Sequence, residues 1–306
     1  MALYTERHGM RTPIEKTYSI SIKSYSLLYD CCAKYYEYLS WKYQDECPDG
    51  LGICGFSFRA FNEDMEFEIP TLFRRDGRID KPRSIVNVFE KDPIDDEYDQ
   101  YALFDLIEFV AQNVHDITYR KYHGYYGHED LSFGDTNAIA GEFLEEINSI
   151  FRKTGLLYQL TENLEIERIE ETSILSEKIA SDIEAITEQG LKELLIIANQ
   201  KHKSPYPNDQ KDAVEKIWDA LERLKTYYTN MDKKASATKI VGDIAGGQAD
   251  YIELFNTEFK ALTDIGNDFR IRHHETNKID ITDIRHYDYF YNRCLSLIGT
   301  AIQYLE

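Results

Sequence analysis

Positive charge is scarce in this 306-residue chain: 35 Lys and Arg stand against 55 Asp and Glu, giving a formal charge of -20. That balance favours solubility and argues against a broad nucleic-acid groove, because phosphate recognition needs a clustered basic surface. Cysteines are few as well. Five of them (Cys31, Cys32, Cys47, Cys54, Cys294), an odd number with no Cys-x-x-Cys, fit reduced packing thiols better than a disulfide framework or a zinc knuckle. No apolar run reaches the roughly 18 residues of a membrane span, and the N-terminus lacks a signal-peptide core. A soluble cytoplasmic protein with no membrane contact is expected. Gly-x-Ser-x-Gly, Walker and His-Glu-x-x-His motifs are all missing from the chain, which removes the commonest hydrolase and NTPase readings.

What the chain does contain is apolar periodicity and 23 tyrosines, suited to amphipathic packing or an interface. The patterning predicts a mainly α protein. A mixed N-terminal domain, 1–172, carries small β-hairpins among its helices, and an all-α bundle follows at 173–306. Helices are expected from Thr17 to Tyr43, Glu97 to Ile117 and Thr136 to Arg152. Alternation about Asn62-Glu63-Asp64 suggests a hairpin across Phe56 to Ile69, and Leu156 to Ile169 reads as a second. Tyr119 to Phe133 reads as a Tyr/His/Gly-rich loop. Beyond Thr172 helices are expected over 173–198, 209–229, 233–244, 248–274 and 284–305. Asn208 or Asp209 can cap the second, whose Val214, Ile217, Trp218, Leu221 and Leu224 share one face.

Two glycine motifs read as structural. Gly50-Leu51-Gly52-Ile53-Cys54-Gly55 spells a dinucleotide fingerprint but follows a helix and enters a strand, the reverse of what that fingerprint requires. Gly246-Gly247-Gln248 matches the tripeptide of peptide-release factors, yet between two helices it reads as a C-cap and turn. His115, His123, His128, Glu129 and Asp130 are suitable metal-ligand types, but in a Gly-broken loop their spacing is not diagnostic and they read as an ordinary surface loop. No metal and no cofactor is expected.

The segment Leu262 to Lys278 holds two arginines and two histidines within five residues. On a helix continued past Phe269, His273 extends the buried stripe, whereas Arg270 and His274 share a flanking face with Asn267. A guanidinium can hold phosphate oxygens while an imidazole moves a proton. The alternative is a helix C-terminus stabilised by cations.

Three stretches resemble bacterial abortive-infection proteins with an AbiJ-type N-terminal domain and a HEPN-like helical C-terminal domain. They are Glu6-Arg7-His8-Gly9 with Pro13, the helix-to-hairpin run Ile147 to Leu160, and the helix Ala213 to Thr226 followed by Phe269 to Glu275. The resemblance implies an antiphage effector that is a metal-independent RNA endonuclease, its site completed across a homodimer and its trigger a phage-derived partner. Arg270, His274 and Asn267 are the implied catalytic residues, and Arg272, His273 and Lys278 the RNA-binding ones. Only three residues separate Arg270 from His274, fewer than is customary in HEPN ribonucleases. The alternative is a non-catalytic dimerisation or sensing module.

Overall fold

A computed structural model describes residues 4–8, 10, 14–85, 94–134, 136–169, 177–271 and 278–305. The chain forms two compact units, 1–169 and 170–306. In the first, α1 (Tyr4–Arg7), α2 (Ile22–Lys34) and a 3-10 turn (Tyr36–Leu39) lead to β1 (Gln44–Glu46), β2 (Ile53–Phe56) and α3 (Phe58–Glu68). Two short ribbons follow, β3 (Arg74–Arg75) with β4 (Arg78–Ile79) and β5 (Ser84–Ile85) with β6 (Ile94–Asp95). Then come α4 (Gln100–Asn113), β7 (Ile117–His123), β8 (His128–Phe133), α5 (Ala138–Thr154), β9 (Tyr158–Leu160) and β10 (Ile166–Arg168).

Leu28 of α2, Leu103, Leu106 and Ile107 of α4, and Phe143 and Ile147 of α5 make the centre of the first core, all fully buried. One antiparallel sheet, ordered β1-β2-β8-β7, belongs to the same unit. The β9–β10 hairpin is present as the sequence predicts, and Asn148 clamps it to α5 by accepting from Leu160 N and donating to Leu160 O, both at 2.8 Å.

The second unit contains α6 (Glu177–Ala185), α7 (Gln189–Lys203), α8 (Pro207–Leu224), α9 (Lys233–Ala245), α10 (Ala249–Asp268) and α11 (Ile284–Ala301), and a 3-10 turn (Ile302–Tyr304) ends it. Val214, Ile217, Trp218, Leu221 and Leu224, the predicted inward face of α8, are all buried. They pack with Leu191 and Leu195 of α7 and with Cys294, Leu295 and Ile298 of α11. Gly246 caps α9 in the left-handed region, φ 57°, so Gly246-Gly247-Gln248 is a turn between helices. No helix among the described residues is long and apolar enough to cross a membrane.

Several sequence expectations are corrected. Residues 58–68 form a helix, where alternation had suggested a hairpin: Phe61 and Met65 are buried one turn apart, and the Ser57 hydroxyl accepts from Ala60 N as an N-cap. Tyr119 to Phe133 belongs to the β7–β8 hairpin, not to a loop, its turn closed by Gly127 at φ 73°. The first long helix begins only after Ser21, which caps it, and changes to 3-10 geometry after Lys34. The helix expected over 173–198 is divided, because Glu188 caps a new helix by accepting from Gly190 N and Leu191 N. Tyr206 and Pro207, rather than Asn208 or Asp209, start α8.

Candidate functional site

The penultimate helix ends earlier than its apolar stripe suggests. After Asp268, Phe269 turns extended (ψ 154°), its N–H still donating to Ile265 O. A short parallel bridge pairs Phe269 with Ile279, where Arg270 N donates to Ile279 O at 2.8 Å and Ile279 N donates to Asp268 O at 3.0 Å. This clip ties the end of α10 to the strand-like residue that precedes α11 by five positions. Arg270 is therefore not on a helical face, which corrects the spacing argument for it. Its guanidinium pairs with the Asp280 carboxylate at 2.7 Å, with 30% of the side chain still exposed. Asn267 is exposed, and its carbonyl accepts from Lys278 Nζ at 2.5 Å. Asn267, Arg270 and Lys278 stand around the clip, and Arg272, His273 and His274 lie outside the described residues. A cavity of about 300 Å³ in the same unit, lined by Asp182, Thr187, Tyr227 and Gln303 among others, has none of Asn267, Arg270 and Lys278 among its described lining residues.

A second constellation lies in the first unit, at one end of its sheet. Register pairs His123, the last residue of β7, with His128, the first of β8. Cys47, buried in the turn after β1, brings its Sγ to 3.6 Å from His123 Nδ1. His128 Nε2 lies 3.6 Å from Asp130 Oδ1, and both atoms are closed to solvent without a hydrogen bond among the described residues. One donor atom from each of Cys47, His123, His128 and Asp130 falls within 4.8 Å of every other.

The turn carrying Cys47 is tightly specified. Cys47 N donates to Gly52 O and Gly50 N to Cys47 O, each at 2.8 Å, and Gly50 takes φ 70°. A Cβ on Gly52 would sit 3.0 Å from Asp130 Oδ1, so the glycine lets the turn close over that carboxylate. Asp49 accepts from Leu51 N at 2.9 Å and faces His123 Nε2 at 3.6 Å. Burial and the adjacent Asp49 raise the Cys47 thiol above its usual range, while the contact with Cys47 and the Leu51 amide hold the Asp49 carboxyl below its own. Beside the cluster runs an open groove of about 670 Å³, with Trp41, His115, Leu51 and Phe133 in its walls.

Sequence reading missed Cys47, for which no local spacing exists: 76 residues separate it from His123. The histidines themselves were legible. Had Tyr119 to Phe133 been read as strands about the turn Gly124 to Gly127, His123 and His128 would have fallen opposite one another. Glu129, the alternate residue on β8, is exposed and stands outside the cluster.

Comparison with curated proteins finds no match, and comparison with solved structures finds none either. Against family models the outcome is positive. Residues 2–180, more than half of the chain, match AbiJ N-terminal domain 4, and the protein therefore belongs to that family of abortive-infection defence proteins.

Proposed function

We propose that this defence protein is an abortive-infection effector whose C-terminal unit is a HEPN-like module that cleaves RNA without a metal. Family membership supports the defence role, and a second unit whose named elements among the described residues are all helices suits a HEPN-like module. The observation that carries the site is Arg270, held by the backbone clip with its side chain part exposed and close in sequence to Arg272, His273 and His274. In this reading His274 transfers the proton at the 2'-hydroxyl or the leaving oxygen, and Arg270 stabilises charge on the phosphate. Arg272, His273 and Lys278 hold the backbone, and Asn267 supplies a polar contact. A homodimer brings two such sites together in the cytoplasm, and a phage-derived partner triggers cleavage. With one of its nitrogens on Asp280, the planar guanidinium retains donors for a phosphate.

Purified protein incubated with total tRNA and mRNA should cut RNA equally with and without chelator, and His274→Ala should reduce cleavage by about 100-fold or more while helix content stays unchanged. Full cleavage by that variant excludes the mechanism. One observation favours a second reading: the Arg270 to Asp280 pair at 2.7 Å is what a structural arginine would make. As a non-catalytic dimerisation or sensing module, the protein would lose oligomeric state rather than any RNA cleavage when Asp280→Asn breaks the pair.

A further inference from the structure

We propose that Cys47, His123, His128 and Asp130 form a zinc site that ties the turn after β1 to the turn end of the β7–β8 hairpin. Zinc binds thiolate at about 2.3 Å and imidazole or carboxylate at about 2.0–2.1 Å, so the edges of its tetrahedron measure about 3.3–3.6 Å. The two separations on the page, Cys47 Sγ to His123 Nδ1 and His128 Nε2 to Asp130 Oδ1, are both 3.6 Å. Both are close to a ligand-to-ligand edge; the nitrogen–oxygen pair is too long for a good hydrogen bond, while the sulfur–nitrogen pair is within reach of a weak thiol hydrogen bond. The remaining pairs stay within 4.8 Å, so small rotamer shifts complete the tetrahedron.

Chemistry narrows the ion. One thiolate, two imidazoles and one carboxylate suit zinc and disfavour magnesium or calcium, which take oxygen ligands. Four protein donors fill a tetrahedral shell, which is the composition of a structural site rather than a catalytic one. The surroundings also fit. With Nδ1 of His123 toward the sulfur, its Nε2 faces the Asp49 carboxylate, the outer partner that ordinarily orients a metal-bound histidine. Asp49 is itself fixed by the Leu51 amide. The plain alternative, separate contacts of His123 with Asp49 and Cys47 and of His128 with Asp130, leaves unexplained why His128 Nε2 and Asp130 Oδ1 are shut from solvent without a hydrogen bond among the described residues.

The test uses the full chain, stripped with chelator and titrated with Zn²⁺ by calorimetry and with Co²⁺ by absorption. One Zn²⁺ should bind per chain. Co²⁺ should give the strong visible bands of a tetrahedral ion with a sulfur-to-cobalt charge-transfer band in the near ultraviolet. Cys47→Ser should remove that band, Cys54→Ser should keep it, and Asp49→Asn, which alters no ligand, should weaken Zn²⁺ binding about 10–100-fold. Lack of saturable binding by the unsubstituted protein overturns the site, as does a charge-transfer band that survives Cys47→Ser or disappears in Cys54→Ser. Should Cys47→Ser fail to fold, the Asp49→Asn and Cys54→Ser titrations decide, and unchanged affinity in Asp49→Asn counts against the proposed shell.

Discussion

Gly266 sits inside α10, where glycine costs about 1 kcal/mol relative to alanine. Its reason is Trp218: a Cβ at 266 would come within 2.5 Å of the indole Cδ1 and Nε1, and that same Nε1 donates to Leu262 O at 2.9 Å. The bare position lets the ring lie against the helix and reach a carbonyl of the preceding turn. Gly266→Ala should thus destabilise the second unit by about 1–3 kcal/mol despite alanine's better helix propensity, seen as a lower urea midpoint. An increase in stability would show that the indole can move aside. This contact was invisible in the sequence, because the apolar stripe marks Leu262 and Phe269 as inward but gives no hint that a tryptophan 48 positions earlier in the numbering occupies the gap.

At the scale of elements, α5 is held at both ends by distant residues. Asn137, its formal N-cap, makes no side-chain cap bond. Asp116 takes over, accepting from Ala138 N at 3.0 Å, Ile139 N at 2.9 Å and Thr136 Oγ1 at 2.6 Å, and these donors, the hydroxyl foremost, hold its carboxyl below the ordinary range. A depressed folded-state pKa contributes stability above the unfolded value of about 3.9, and the contribution fades as pH falls through the folded value. Asp116→Asn should accordingly be less stable than the unsubstituted protein at neutral pH, with the difference closing in acid; a gap constant with pH would refute the assignment. At the other end Gly155 takes φ 76°, and a Cβ there would lie 2.2 Å from the Glu15 carbonyl oxygen. Gly155→Ala combines left-handed strain with that clash, and a loss of at least about 1–3 kcal/mol is expected in chemical denaturation.

Elements also show where legibility stopped. The stripe of α8 was readable because five apolar positions repeat at helical steps without a competing period. Residues 56–69 carried both periods at once, and the Ser57 cap with the Phe61 and Met65 pairing decided for helix. Around Arg270, neither glycine nor proline announces the end of α10; the helix stops where the Asp268 carbonyl and the Arg270 amide bond to Ile279 instead, a partner no local pattern reveals.

For the whole molecule, two separate cores imply two folding units, and the chain's two tryptophans are divided between them, Trp41 in the first and Trp218 in the second. In Trp218→Phe protein the fluorescence reports the first unit alone, and in Trp41→Phe the second. If zinc ties the sheet, chelator should lower the thermal midpoint reported by Trp41 and leave that reported by Trp218 unchanged; equal shifts would place the metal elsewhere. The acidic balance adds a constraint on the proposed nuclease: substrate must approach a chain of charge -20, so salt that screens repulsion should speed association up to the point where local phosphate contacts weaken.

Gly155 also sets when the first unit can close. Thr17 N donates to Gly155 O at 3.1 Å and Leu157 N donates to Thr17 O at 3.0 Å, so an early residue is sewn to the stretch between α5 and β9, late in the same unit. A ribosome adding about 5–20 residues per second needs on the order of ten seconds to travel between those partners. Gln100 can already hold Tyr18 O and Ile20 N during that interval, but Thr17 waits for both of its backbone partners.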